Sequence, residues 1–419
     1  MALAAFLTLT FIGIHKPGGL CFAAFWAALA VLAGCHPTTK SFSYTLIVVA
    51  CVTTSMYFPE FYLHVGNVST MVFIIPILQV IMFGMGTQLS LRDFQGILKQ
   101  PYGVMVGLLC QFAIMPLVGY TIAVGSRFEP EIAAGIILIG SVPCGIASNV
   151  MNFIAKSNMA LSVTLTAVAT LIAPLATPFF MKFLAGQFVE IEYLKMTMDI
   201  TNLVILPIMG GLMFQTIARR MVAPRSVALH FLSFVGVIAA FNGLFAVFGQ
   251  FSLASAGERI LTQAGIFLLL PIIGAFLLRT VVVHRPALFD RLLSLFSMVG
   301  LLLTIVIINA AGRDHLLKIG LFLIFACLLH NLLGFLFGYW LARLFGLDER
   351  SCRTVSIEVG LQNGGLASGL ALQMGKAATV GLAPAVFGPL MNITGSSLAT
   401  WWRGRPVTEI VEAAEEEKT

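Results

Sequence analysis

A single carboxylate, Glu358, lies inside an otherwise uncharged stretch, 356–369, reading SIEVGLQNGGLASG. A second stretch, 141–152, reads SVPCGIASNVMN and has the same mixture of helix breakers and small polar residues. Both lie within apolar runs long enough to cross a bilayer, which puts Glu358 near mid-membrane. A lone carboxylate there costs several kcal/mol unless it is paired or protonated. The stretch contains no Lys or Arg, so the counter-charge is a proton or a bound cation. Ser148, Asn149, Gln362 and Asn363 offer oxygens, and Ser162 and Thr166, at i and i+4, share one face of the next helix. Hard cations take oxygen ligands. One carboxylate among neutral oxygens suits Na⁺ better than Ca²⁺ or Mg²⁺. Each piece alone has a plainer reading. Ser and Thr in membrane helices bond back to their own backbone or let helices pack closely. Glu358 could be a protonated structural acid, and Gln111 and His330 suit interhelical hydrogen bonding. The joint pattern is what those readings leave unexplained.

The breakers matter as much as the side chains. A Pro or Gly interruption frees backbone groups that lipid cannot satisfy, so such backbone must be buried in protein or line a watery cavity. There, carbonyl oxygens and half-helix ends hold ions and anions.

The elements around these stretches follow from composition. Only 10% of the 419 residues are charged, against roughly 25% in an ordinary soluble domain, while 59% are hydrophobic and mean hydropathy is +0.98. This excludes a soluble enzyme, a disordered chain and a disulfide scaffold, and leaves an all-α polytopic membrane protein. The seven cysteines lie in or beside apolar runs without a CxxC, and read as small hydrophobes. Apolar runs place spans at 43–59, 69–87, 102–124, 131–155, 159–185, 196–217, 227–250, 260–283, 289–311, 316–345, 353–374 and 378–402. An N-terminal hydrophobic segment, 1–36, adds one span or two short ones. Its start, MALAAFLTLT, lacks the basic region of a signal peptide and the Arg/Ser pattern of a transit peptide.

Alternate loops are basic. One set, including Arg92, Lys156, Arg219, Arg285, Arg343 and Arg403, holds fourteen Lys and Arg; the other, including Arg127, Lys195, Arg259, Arg313 and Lys376, holds seven. The positive-inside rule assigns the first set, and the C-terminus, to the cytoplasm. A bacterial inner membrane is the default location. The net charge of +6 is this loop asymmetry rather than a nucleic-acid footprint. The segment 403–419 ends in an acidic tail.

Two stretches repeat at an offset of 219–220 residues: Leu108 to Tyr120 with Leu328 to Tyr339, and Cys144 to Ser148 with Gly364 to Ser368. Same order and near-equal offset indicate a duplicated unit. With an odd number of spans each, the halves are inverted in the membrane, an arrangement found in secondary transporters with interrupted helices.

At these residues the chain resembles the bile acid/sodium symporter family. The matching pieces are Phe83-Gly84-Met85-Gly86, Gln111-Phe112-Ala113-Ile114-Met115-Pro116-Leu117, Ala147-Ser148-Asn149-Val150, Ala160 to Thr166, Glu358 to Asn363, and Asn392-Ile393-Thr394-Gly395-Ser396. They run in family order across roughly 43–220 and 289–402. The resemblance implies two inverted five-helix repeats, here 37–188 and 189–402, forming a core and a panel domain, with broken fourth and ninth spans that cross. An inserted hairpin at about 227–283 and the N-terminal extension depart from that plan. The resemblance also implies two Na⁺ sites: Ser148, Asn149, Ser162, Thr166 and Glu358 for the first; Gln111, Glu358, Gln362 and the backbone of Val359 and Leu361 for the second. Substrates would be organic anions such as bile acids, keto acids or pantoate, held near Ile146, Asn363 and Asn392. Ile146 stands where a small hydroxyl residue is common in the family. The expected activity is Na⁺-coupled symport by alternating access. The alternatives are a proton-coupled or uncoupled transporter with Glu358 as proton carrier, and an intramembrane enzyme. For the latter there is no HExxH, no GxSxG and no paired intramembrane acid.

Overall fold

The computed structural model describes residues 15–36, 42–89, 100–219, 224–250, 252–405 and 407. The segment Met1–Ile14 and the acidic tail from Thr408 lie outside them. The described chain is almost entirely helical: α1 His15–Cys35, α2 Ser43–Tyr57, α3 Ile74–Gln88, α4 Pro101–Ser126, α5 Pro130–Ser141, α6 Ile146–Ala155, α7 Met159–Phe180, α8 Tyr193–Ile200, α9 Leu206–Arg219, α10 Pro224–Val247, α11 Leu253–Ala264, α12 Leu270–His284, α13 Pro286–Ala311, α14 Arg313–Leu344, α15 Glu349–Gly360, α16 Gly364–Gln373 and α17 Leu382–Arg403. Short π turns, Thr201–Ile205 and Gly265–Leu269, join α8 to α9 and α11 to α12 into long spans. Eight helices among the described residues are long and apolar enough to cross a membrane. The chain is an all-α, multi-pass membrane protein.

Local chemistry sets the helix ends. Proline opens α4, α5 and α13 at the first turn, where its missing N–H has no intrahelical partner to lose. Asp348 caps α15 by accepting from the amides of Arg350 and Ser351 at 3.1 and 3.2 Å. The run expected at 131–155 is two helices because Pro143 forces Val142 out of the helical region, to ψ 159°. The run at 353–374 breaks over Leu361 to Asn363, ahead of the glycine pair Gly364-Gly365.

Two sets of helices pack around these breaks. Helices α4 to α7 and α14 to α17 pack on one another, and α14 lies against α4, α15 and α17. Beside them, α3 and α9 approach so closely that a Cβ on Gly211 would meet the carbonyl of Phe83; α13 lies against α2 and α3. The hairpin α10–α12 docks on this second set. Its Gln263 accepts from Asn242 Nδ2 at 2.6 Å and donates to Asn202 Oδ1 at 2.7 Å, which pairs amide groups that lipid would leave bare. Ion pairs join residues at one end of the bundle or the other, never across it, among the described residues: Lys16 with Glu60 and Lys376 with Glu131 at one end, Arg219 with Asp290 and Arg353 with Glu349 at the other.

Candidate cation site at the helix crossing

The two breaks meet. The amide of Asn363 donates to the carbonyl of Pro143 at 2.9 Å, and the amide of Gly145 donates to Leu361 at 3.3 Å. Cys144 and Gln362 thus pair as a short antiparallel bridge. Each break satisfies backbone freed by the other, which is what lets extended chain exist at this depth. Helices α6 and α15 then lie side by side, with α7 across them.

Glu358, 2% exposed, projects from α15 into that junction. Its Oε2 accepts from Ser148 Oγ and from Thr166 Oγ1, both at 3.0 Å. Its Oε1 accepts from Ser162 Oγ at 2.6 Å and from Asn152 Nδ2 at 2.9 Å. Every partner is neutral. The Oδ1 of Asn149 lies 2.7 Å from Ser162 Oγ and 3.3 Å from Thr166 Oγ1.

Proton counting makes this cluster unusual. A hydroxyl has one proton to give. Ser162 faces two acceptors, Asn149 Oδ1 and Glu358 Oε1, and already accepts from Asn152 Nδ2 at 2.9 Å. Thr166 faces the same two residues. Ser148 faces Glu358 and also the carbonyl of Gly145, at 2.7 Å. Oxygens therefore outnumber donors around one buried negative charge, and a cation with oxygen ligands corrects both the charge and the donor deficit. Among the described residues no group of three or more His, Cys, Asp or Glu could hold a metal ion. One carboxylate among neutral oxygens is a donor set that a monovalent hard cation would fit.

A profile of the sodium bile acid symporter family matches residues 75–256. The chain is 30% identical over 368 residues to a Bacillus subtilis (strain 168) protein named as an uncharacterized sodium-dependent transporter, YocS, covering 88% of this chain and 92% of that one. The chain belongs to the sodium bile acid symporter family. It is also 30% identical over 326 residues to the probable chloroplastic sodium/metabolite cotransporter BASS1 of Arabidopsis thaliana, covering 78% of this chain and 65% of that one. The mouse ileal sodium/bile acid cotransporter is 28% identical over 294 residues, covering 70% of this chain and 66% of its own length.

The second group of residues that the family resemblance singles out is arranged differently. Gln111, on α4, donates through Nε2 to Gln362 Oε1 at 2.9 Å and to the carbonyl of Val142 at 3.2 Å, so it touches both breaks. Its Oε1 is buried without a hydrogen-bond partner. Gln362 Nε2 donates to the carbonyl of Val359 at 2.5 Å, and the carbonyl of Leu361 is engaged by Gly145. The carboxylate of Glu358 makes its hydrogen bonds with the first group and with Asn152. His330 does serve as interhelical glue: Nε2 pairs with the carbonyl of Met115 at 2.9 Å.

Of the three residues expected near the substrate, Asn363 is the N-cap of α16, with Oδ1 accepting from the amide of Leu366 at 3.0 Å. Ile146 is the first residue of α6, and Asn392 is half-buried on α17, which packs against α6. Two residues of this family member escaped the sequence reading. Asn152 stands one turn beyond Ser148 on α6 and donates into the cluster. Asn331, on α14, donates to the carbonyl of Gly360 at 2.7 Å and so holds the end of α15. The signal for Asn152 was its i+4 spacing from Ser148, which puts both on one helix face.

Proposed function

We propose that this chain is a Na⁺-coupled symporter of a small or amphipathic organic anion, working by alternating access. The observation that carries the reading is the buried Glu358 carboxylate, held only by neutral groups in a cluster with more oxygens than protons. In this reading Ser148, Asn149, Ser162, Thr166 and Glu358 bind one Na⁺. The free Oε1 of Gln111, with Gln362, Glu358 and the backbone of Val359 and Leu361, binds a second. Na⁺ neutralises Glu358 and holds α6, α7 and α15 together. The anion binds beside the crossing, near Ile146, Asn363 and Asn392, where half-helix N-termini favour negative charge.

Core and panel move relative to each other, each built from both five-helix repeats: α4–α7 and α14–α17 form the core, and α2, α3, α8, α9 and α13 form the panel. Packing is uneven across the crossing. Helix α16 packs against α3, α8 and α13, whereas the main neighbours of α6 are α7, α15 and α17, all within the core. With the basic loops and the C-terminus in the cytoplasm of a bacterial inner membrane, α6 lies in the cytoplasmic half of the crossing and α16 in the opposite half in this reading. Two Na⁺ per monovalent anion would carry one net charge inward, worth about 2.3 kcal/mol per 100 mV.

The test needs no substrate. The melting temperature of the purified protein is recorded against Na⁺, with choline or K⁺ holding ionic strength. Binding at ten times Kd stabilises by about 1.4 kcal/mol per site. A Na⁺-specific rise that Glu358→Gln and Ser162→Ala abolish is expected. An equal rise with K⁺ would reject Na⁺ coupling and leave Glu358 as a proton carrier.

A further inference from the structure

Asn152 is fully buried, and its two ends face different chemistry. Nδ2 donates to Glu358 Oε1 and to Ser162 Oγ, both at 2.9 Å. Oδ1 faces the other way and accepts from Ser157 Oγ at 2.6 Å. The backbone, not the amide, fixes Ser157 in place. Lys156 takes the left-handed conformation, φ 54°, that ends α6, and the Ser157 amide then donates to the carbonyl of Asn152 at 3.1 Å. Ser157 Oγ lies 3.0 Å from that same carbonyl.

A carboxamide is planar, with an acceptor at one end and a two-proton donor at the other, so a half-turn exchanges them with no change of shape. In the orientation seen here, two N–H groups of Asn152 face the buried carboxylate and the Ser162 hydroxyl, supplying positive charge where the cluster lacks it. After a half-turn, Oδ1 would face Glu358 and Ser162, an arrangement that is repulsive unless a cation lies among them. At the other end Nδ2 would then donate to Ser157 Oγ. Ser157 can accept that proton because its own can go to the Asn152 carbonyl. The orientation seen here pairs both N–H groups of Asn152, whereas the turned one pairs one of them with Ser157 Oγ, so the turn is favoured only when the charge within the cluster outweighs the loss of the other pairing.

We infer that Asn152 is an ion-dependent amide switch: it donates to Glu358 when the cluster holds no cation and becomes an oxygen ligand when a cation binds. This rests on the reading of the cluster as a Na⁺ site. It adds a ligand on α6 beyond Ser148 and Asn149. It also gives Ser157 a role, since without that hydroxyl the turned amide would leave its N–H groups unpaired. The same turn is tied to α15, through Asn158 N to Thr354 Oγ1 at 2.9 Å, so the switch sits where α6, α7 and α15 meet.

The two roles of Asn152 predict opposite signs on removal. A residue that only donates to Glu358 competes with the cation, and its loss tightens Na⁺ binding or leaves it unchanged. A switch loses a ligand, and Na⁺ binding weakens. The experiment measures the Na⁺ midpoint of thermal stabilisation, in choline, for the full-length wild type, Asn152→Leu, Ser157→Ala and Glu358→Gln. The switch predicts a midpoint raised about tenfold in Asn152→Leu and about threefold in Ser157→Ala. A midpoint at or below wild type in Asn152→Leu overturns it. If that variant does not fold, an unchanged midpoint in Ser157→Ala overturns it equally. Glu358→Gln separates the two readings: a persisting Na⁺ response there rejects the site itself. A lost response beside an unweakened Asn152→Leu rejects the switch alone.

Discussion

The two broken helices use the same backbone device and differ in everything attached to it. Each break is held by an amide from an unbroken neighbour, Gln111 to Val142 at 3.2 Å and Asn331 to Gly360 at 2.7 Å, and the breaks pair with each other. Beyond that the halves diverge. The inner face of α6 carries Ser148, Asn149 and Asn152. At the repeat offset, α16 carries Ser368, Gly369 and Leu372, and the counterpart of Glu358 is Leu138 or Ile139. The holding amides differ too. Asn331 has its oxygen satisfied by the Thr394 hydroxyl, whereas Gln111 Oε1 has no partner and the counterpart of Thr394 at an offset of 220 is Pro174, which has no hydroxyl. A crossing therefore makes room at mid-membrane, but it does not make an ion site. In the proposed reading side chains on one side of it do, while on the other side α16 packs against α3, α8 and α13.

Changes at Glu358 break that comparison most directly. Glu358→Gln makes the two sides alike in charge, and Na⁺-dependent stabilisation and transport should fall below detection. The variant should remain folded, because the glutamine keeps the size of the side chain and one acceptor oxygen. Folding is checked by circular dichroism and gel filtration.

The holding amides sharpen it next. Gln111→Leu removes the orphan oxygen, and the Na⁺ titration should lose its cooperativity, with a Hill coefficient falling towards one. Asn331→Leu strips the bond from the Gly360 carbonyl and should cost about 1–3 kcal/mol of stability while leaving the Na⁺ midpoint in place. Equal effects on the midpoint would mean that the two amides are equivalent after all.

Asn363→Ala removes the cap of α16 and should lower stability by about 1 kcal/mol, read as a melting temperature in Na⁺-free buffer. A change in anion-dependent stabilisation larger than that in Na⁺-dependent stabilisation would support its expected contact with substrate.

The smallest effect belongs to a pair outside the crossing. A backbone hydrogen bond at Glu60 itself, and then the Lys16 ammonium 3.0 Å away, hold its carboxyl below the ordinary glutamate range. A depressed folded-state value means stability that is present above the unfolded value and lost as pH falls through the folded one. Both side chains are exposed, so Glu60→Gln should flatten only a slight fall in melting temperature below the usual glutamate range.

Much of this was legible before the fold. Pro143 and the Gly364-Gly365 pair mark the breaks because their backbone chemistry is local. Glu358 stands out because an intramembrane carboxylate needs an explanation. Ser162 and Thr166 share a face by helical spacing alone. What escaped was what depends on long-range contacts. Asn331 satisfies a carbonyl 29 residues on, and nothing in its neighbourhood announces that. Gln263 and Asn202 tie the α10–α12 hairpin to α8–α9 from 61 residues apart. Asn363 reads as a free polar group in sequence and is also a helix cap in the fold, since capping depends on where α16 starts. Asn152 was within reach of the same i, i+4 reasoning that found Ser162 and Thr166.

The most direct measurement is binding of radioactive Na⁺ to the purified protein by equilibrium dialysis, for the wild type and Glu358→Gln. The account predicts saturable binding that unlabelled Na⁺ displaces, that K⁺ does not, and that is absent from the variant. Equal binding to both proteins would contradict it.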